Sequence, residues 1–397
     1  MRRLGLVIVL GALIAFGPMS IDMYLPAFPD LTAHFRTTEP QVQLTLTACL
    51  AGLALGQLLY GPVSDALGRR RPLYAGLAAY VVASALCAVA PSVSVLAVLR
   101  LVQGLGGAAG IVIARAVVRD MYSGVAAARY FSALMLVNGL APMLAPLAGS
   151  ELLRFTSWKG VFVALTVYGL VLVPGVALVL PETLPPERRR RGGLRDTLRT
   201  FGKLSRDRLF VAYALGGGLV FAAMFAYISG SPFVTQEVYG VSKQTFGLIF
   251  GVNALGIVLF SQLNGWLLGR FSPSALLSAA LLLNLVGGFG VLAAVASGSH
   301  QLRWLLPPLF LVVASVGVVV PNTTALALAG HPETAGSASA LLGLGQFVFG
   351  AAAAPLVGLG GRGTALPMGI VIASLCVSAN LLLFLLPRLA VREKVLA

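Results

Sequence analysis

Apolar residues occur along this chain in long runs, and polar residues are confined largely to the gaps between them. A helix that crosses a bilayer needs about 20 mostly apolar residues. Stretches of that kind lie near residues 5–28, 42–62, 72–91, 94–114, 130–152, 160–180, 209–231, 245–268, 273–297, 304–327, 335–357 and 365–387. Gly and Pro punctuate most of the gaps, several of which are only a few residues long. The first run opens with Arg2 and Arg3 followed by Leu4 to Ala15, as a signal peptide would. Its apolar character continues to about Phe28 and eleven more runs follow, so an uncleaved first helix is expected. The longest hydrophilic segment, Glu182 to Arg208, lies near the middle of the chain and divides the runs six and six. The pattern predicts an all-α membrane protein with twelve transmembrane helices in two six-helix halves, residues 1–181 and 209–397, joined by a basic linker at 182–208.

Composition agrees with that pattern and excludes a soluble alternative. Of 397 residues, 58% are hydrophobic and 10% charged, with a mean hydropathy of +0.92. Soluble domains use about 25% charged residues. The charge is unbalanced, with 28 Lys and Arg against 13 Asp and Glu, a formal +15. A nucleic-acid partner would need those charges on the solvated face of a soluble module, and none is expected. Instead the charges divide by topology. Arg2, Arg3, Arg69 to Arg71, Arg115, Arg119, Arg129, the linker, Arg270, Arg388, Arg392 and Lys394 fall on the side of the termini, against Arg36, Arg154, Lys159, Lys243, Arg303 and Arg362 on the other. The positive-inside rule then puts both termini in the cytoplasm. The run Arg188 to Arg191 reads as a solvated loop facing lipid headgroups. Cys49, Cys87 and Cys376 lie in apolar runs and read as small core residues, with no disulfide framework or metal site.

Charges inside membrane spans are costly enough to mark function by default. Asp22 in the first span and Arg100 in the fourth lie well inside. With the first span ending near Phe28 and the fourth starting near Ser94, each sits about 9 Å below the outer face. Matching depth predicts a proton-coupling pair lining a cavity. A neighbouring guanidinium favours the charged carboxylate and burial disfavours it, so the acid exchanges a proton as access changes. The plainer reading is a static ion pair that fixes helix packing. The second half carries amides in its spans, Asn253, Gln262, Asn264, Asn284, Asn322, Gln346 and Asn380, of a kind that often joins helix to helix. Proton chemistry is therefore expected in the first half.

Three motifs add detail. The connection after the second span runs Gly61-Pro-Val-Ser-Asp65-Ala-Leu-Gly68-Arg69-Arg70-Arg71-Pro72-Leu73. Gly61 and Gly68 are expected to permit close helix approach and a tight turn. Asp65 is expected to pair with the arginines or meet a helix N-terminus, so that Gly61, Asp65, Gly68, Arg69 and Arg70 form a cytoplasmic gate. The second-half counterpart, Asn264 to Arg270, keeps a Gly and an Arg but lacks the acid. The fourth span carries Leu96, Arg100, Gln103, Gly104, Gly106, Gly107 and Ala108. The fifth carries Gly139, Pro142, Pro146 and Gly149, spaced to share one helix face where another helix can approach.

These stretches resemble signatures of the major facilitator superfamily, whose two six-helix halves the layout also matches. The loop matches at Gly61, Asp65, Gly68, Arg69, Arg70 and Leu73, with Ala66 where a basic residue is usual. The fourth span is similar to the proton-coupling signature of drug:proton antiporters, with the basic residue at Arg100. Ala145 to Ser150 is similar to the antiporter motif, with Ala and Ser in place of Gly. Ile21 to Pro29, Ala114 to Asp120, Leu180 to Leu184, Pro321 to Ala327 and Gly336 to Gly343 look like the Bcr/CflA drug-resistance transporters, so the resemblance covers essentially the whole chain. It implies proton-driven efflux of small amphipathic antibiotics, of the bicyclomycin, chloramphenicol–florfenicol or sulfonamide type, with Asp22 binding protons and cationic drug. A second acid, which drug exporters of this family carry earlier in the first helix, has no counterpart between Gly11 and Ser20.

The expected mechanism is alternating access around a cavity walled by Tyr24, Gln103, Met224, Phe225, Tyr227 and Gln346. The partners expected are a small drug, protons and the lipid bilayer, with a functional monomer in a bacterial cytoplasmic membrane. An enzyme is not expected, because His34, His300 and His331 lie in loops without a partner cluster and no phosphate-binding loop occurs. No cofactor or metal is called for beyond the proton gradient. The alternatives are a proton-coupled importer or exporter of a metabolite and, further off, a membrane sensor without flux.

Overall fold

Four helix starts among the described residues are capped by short polar side chains that take up the backbone N–H groups a first turn leaves free. The Ser92 hydroxyl accepts from the Val95 N–H, Ser242 from Thr245 and Ser272 from Ala275, while Asp207 accepts from both Leu209 and Phe210. The computed structural model describes residues 2–122, 124–189, 193–298, 301–360 and 363–396. Arg190 and Arg191 of the linker, His300 and Arg362 lie outside them. Every regular element among the described residues is helical.

The chain runs through α1 (Arg2–Asp22), α2 (Phe28–Phe35), α3 (Glu39–Leu67), α4 (Arg70–Cys87), α5 (Val93–Met121), α6 (Gly124–Leu152), α7 (Trp158–Val179) and α8 (Gly193–Leu204). It continues through α9 (Arg208–Phe233), α10 (Lys243–Leu267), α11 (Pro273–Ala296), α12 (Leu302–Ala329), α13 (Ala335–Ala353) and α14 (Leu366–Leu396). Eleven helical stretches among the described residues are long and apolar enough to cross a membrane. The other expected span is α4, a regular helix of 18 residues that opens on Arg70 and Arg71, so its polar start lowers its apolar content. The first span differs from expectation. It does not end near Phe28 but resumes as α2, making one apolar stretch from Gly5 to Phe35.

The chain divides into two units, one of Met1–Thr37 with Leu44–Asp196, the other of Thr38–Gln43 with Thr197–Ala397. In the first, α1 packs against α5, α6 and α7, and α4 against α5 and α7. In the second, α9 packs against α12, α13 and α14, and α12 against α10 and α11. Expected amide links between helices are present there: Asn322 donates to Asn264 at 2.7 Å and Asn284 to Ser315 at 3.0 Å. Cys49, Cys87 and Cys376 are free and buried.

Candidate functional site

The site begins with a break in the first span. Pro26 has no N–H to give to the carbonyl of Asp22, four residues back, and its ring crowds that carbonyl. The α-helix therefore stops at Asp22, a single 3₁₀ turn covers Leu25–Ala27, and α2 follows. Asp22 is left at a helix end, only 4% exposed, and its Oδ1 has no hydrogen-bond partner. A buried carboxylate oxygen without a partner is costly.

Arg100 is fully buried on α5 and reaches the same break by another route. Its Nη2 donates to the Ser20 carbonyl at 2.7 Å and its Nη1 to Gln103 Oε1. The guanidinium lies over the Tyr24 ring at 4.1 Å and the Phe162 ring at 5.7 Å. Among the described residues no ion pair joins Asp22 to Arg100, although the two segments meet. The two side chains do stand at one level, since the guanidinium contacts Ser20 and Tyr24 on either side of Asp22. The physical reason that they do not pair is the break itself. It frees the Ser20 end of α1, whose carbonyls carry the negative end of the helix dipole, and the guanidinium settles there.

The residues around Arg100 form a connected polar network in an apolar helix cluster. Gln103 Nε2 donates to Ser84 Oγ at 2.7 Å, Ser20 Oγ and Tyr80 Oη are 2.8 Å apart, and Tyr24 Oη and Thr45 Oγ1 are 3.1 Å apart. Tyr24 and Gln103, expected to wall a cavity, are thus committed to this network. Of the other expected wall residues, Phe225 packs against Gly350 and Tyr227 accepts from Asn253 Nδ2 at 2.8 Å. Met224 is buried as well, and Gln346 is half-buried.

The α6 residues meet the break directly. Pro146 and Gly149 are buried and Gly139 and Pro142 half-buried, on a helix packed along α1. A Cβ on Gly149 would stand 1.9 Å from the Met23 carbonyl oxygen, so only glycine permits this approach.

The expected gate is a latch around Arg69, which is 3% exposed. Arg69 grips Asp120 with two nitrogens, Nε at 2.7 Å and Nη2 at 3.2 Å. Its Nη1 donates to Asp65 at 2.6 Å and to Ser64 at 2.8 Å. Glu182 accepts from the backbone N–H groups of Arg69 at 2.9 Å, Arg70 at 3.2 Å and Leu184 at 3.1 Å, closing the start of α4. Burial alone would raise the Glu182 carboxyl, but those N–H groups and Arg189 hold it below the ordinary carboxylate value. Gly68 makes the turn at φ +90°, and a Cβ there would stand 2.6 Å from Glu182 Oε2.

Two expected gate residues stand elsewhere. The Arg70 guanidinium turns away to the Tyr74 hydroxyl at 3.1 Å, leaving only its N–H in the latch. Gly61 makes no close helix approach: α3 runs on past it and nothing lies within 4 Å of a Cβ built there. Asp120 and Glu182 were missed as partners. Both lie in stretches that carried the resemblance, but 51 and 113 residues separate them from Arg69.

The chain matches the Major Facilitator Superfamily over residues 8–355. It belongs to that superfamily. Membership makes this multi-pass membrane protein a transporter rather than an enzyme. Among relatives of the same superfamily, it is 40% identical to the uncharacterized MFS-type transporter YdgK of Bacillus subtilis (strain 168), over 96% of this chain and 95% of the relative. It is 30% identical to the bicyclomycin resistance protein homolog of Haemophilus influenzae over 91% of each. To the multidrug resistance protein MdtL of Shigella flexneri it is 28% identical, over 95% of this chain and 94% of the relative. These relatives are consistent with the Bcr/CflA-type resemblance. In structure it matches a bacterial homolog of the human lysosomal transporter Spinster, in its inward-facing and occupied conformation, with a TM-score of 0.80 at 17% identity, covering 98% and 97% of the two chains. A D-xylose-proton symporter matches with a TM-score of 0.74 at 16% identity, over 96% and 97%. Both likenesses concern the major facilitator fold.

Proposed function

We propose that this transporter couples proton entry to the efflux of small amphipathic antibiotics across a bacterial cytoplasmic membrane by alternating access, acting as a monomer with both termini cytoplasmic. The observation that carries this reading is the buried Asp22 carboxylate, with Oδ1 unpartnered, at the break in the first span. Resistance proteins among the relatives support the substrate class, and the distribution of basic residues supports the orientation.

In this mechanism Asp22 takes a proton when the site faces outside and releases it when the site faces the cytoplasm. Arg100 acts beside it by holding the Ser20 carbonyl, two residues away on the same helix end, and so fixes where the carboxyl sits. The membrane potential contributes about 2.3 kcal/mol for each charge moved through 100 mV. The Arg69 latch is broken and remade as the transporter changes state.

Asp22→Asn tests the assignment in everted vesicles. It preserves size and removes the titrating group, so proton-dependent drug uptake and drug-induced proton release should both be lost while the protein still inserts. Undiminished drug-driven proton exchange by this variant overturns the role of Asp22. Uptake that runs with the proton gradient, rather than against it, would make the protein an importer.

A further inference from the structure

Within the second unit, α10 and α12 run side by side in the same direction but are not equally close along their length. At Gly317 a Cβ would stand 2.3 Å from the Ile257 carbonyl oxygen, which puts the two backbones in contact. Towards their starts the helices part. Pro307 and Pro308 lie within α12, where proline rings remove backbone hydrogen bonds and bend a helix. The gap between them is a cavity of about 560 Å³ lined by Thr245, Leu248, Ile249, Val252 and Asn253 of α10 and by Leu306, Pro307, Phe310 and Leu311 of α12. Leu248 and Val252 on its rim are 61% and 58% exposed. Exposed apolar side chains of this kind mark contact sites, for which the bilayer is the apolar medium at hand.

The slot has the polarity and dimensions of an acyl-chain site. Its wall is apolar apart from the Thr245 hydroxyl at one end and the Asn253 amide at the other. That amide already donates to Tyr227. So sparse a polar lining gives a hydrogen-bonding drug little to recognise. From Thr245 to Asn253 the slot follows α10 for about 12 Å, close to the depth of one leaflet of a hydrocarbon core about 30 Å thick. Its Thr245 end is the polar one. Ser242 and Thr245 hydroxyls lie 3.0 Å apart there, and Lys243 starts the helix. A cation at that end complements the phosphate of a lipid headgroup.

We propose that this slot binds one acyl chain of a bilayer phospholipid, with its phosphate at Lys243 and its tail running towards Asn253. The site belongs to the second unit alone and does not depend on the proton chemistry at Asp22. Bound lipid would fill the space between α10 and α12 and hold the Asn253–Tyr227 contact from the membrane side.

The test uses the full-length protein in phosphatidylcholine nanodiscs doped with a phosphatidylcholine that carries a diazirine midway along one acyl chain. Peptide mapping after illumination should place adducts mainly on residues 248–253 and 306–311, over the equally exposed Leu282 and Phe289 of α11. Val252→Trp, a substitution at an exposed position that fills the slot, should cut labelling there roughly tenfold and leave α11 labelling unchanged. Lys243→Gln should cut it roughly threefold. Even labelling of all lipid-facing helices in the unsubstituted protein overturns the site, whatever the variants do. Displacement of the lipid probe by a drug-like diazirine that labels the same residues overturns the acyl chain as occupant, and labelling unchanged by Lys243→Gln overturns the headgroup contact.

Discussion

At Arg69 one buried side chain satisfies two carboxylates, Asp65 and Asp120, and a hydroxyl, Ser64. The two-nitrogen grip on Asp120 needs a planar guanidinium, which an ammonium cannot supply. Arg69→Lys should therefore keep the charge and lose the geometry, and Arg69→Gln should lose both and leave two acids facing each other. Breaking a buried pair costs roughly 3–5 kcal/mol. Because Asp65 is 45% exposed and can be solvated, the lower end of that range is expected for Arg69→Gln. Thermal unfolding in detergent should rank the unsubstituted protein above Arg69→Lys and Arg69→Gln last. Equal stability of all three would remove the latch from the account. Asp65 and Arg69, four residues apart, could be read as partners from their spacing alone. Asp120 and Glu182 could not, since nothing local says which distant acid completes the set.

At the scale of the element, the first span shows what proline spacing can and cannot reveal. Pro26 and Pro29 mark an irregularity, and the sequence suggested that the helix ends there. It continues because Phe28–Phe35 buries Phe28, Leu31 and Thr32 against its surroundings, a tertiary gain that hydrophobic run length does not express. The break then depends on α6, whose Gly149 touches the Met23 carbonyl. Gly149→Ala should force α1 and α6 apart and reduce drug efflux strongly, with a loss of stability of about 1–3 kcal/mol from overpacking. Gly61→Ala is its counterpart. With open space around it inside a helix, it should be neutral or stabilise folding by up to about 1 kcal/mol. Unfolding and resistance assays on the pair separate glycine needed for contact from glycine that merely fits a motif.

Across the whole molecule the two units secure their polar connections by different means. The first unit uses the ionic set around Arg69. The second joins Asn264, at the head of its matching loop motif, to Asn322 without charge. It adds a contact between His331 Nε2 and Asp207 Oδ2 at 2.9 Å. The missing acid in the second-half motif and the amides of these spans were legible in sequence, but the pairing of Asn264 with Asn322, 58 residues further on, was not. Overall architecture was the most readable level, since run length and the division of basic residues act through the bilayer and need no knowledge of contacts. The orientation they imply is open to direct measurement. Lys159→Cys, exposed in the first turn of α7 on the proposed outer side, should react with an impermeant maleimide in intact cells, and Ser205→Cys only after permeabilisation. The reverse order would invert the topology.

That measurement is simplified by where the native cysteines lie. All three native thiols are sealed inside helix packing, where a water-borne electrophile cannot reach them. The protein is in effect chemically blank towards such reagents while folded. An added cysteine then reports its own surroundings without any native cysteine having to be replaced. Delayed labelling of the native thiols would mark unfolding or wide helix separation.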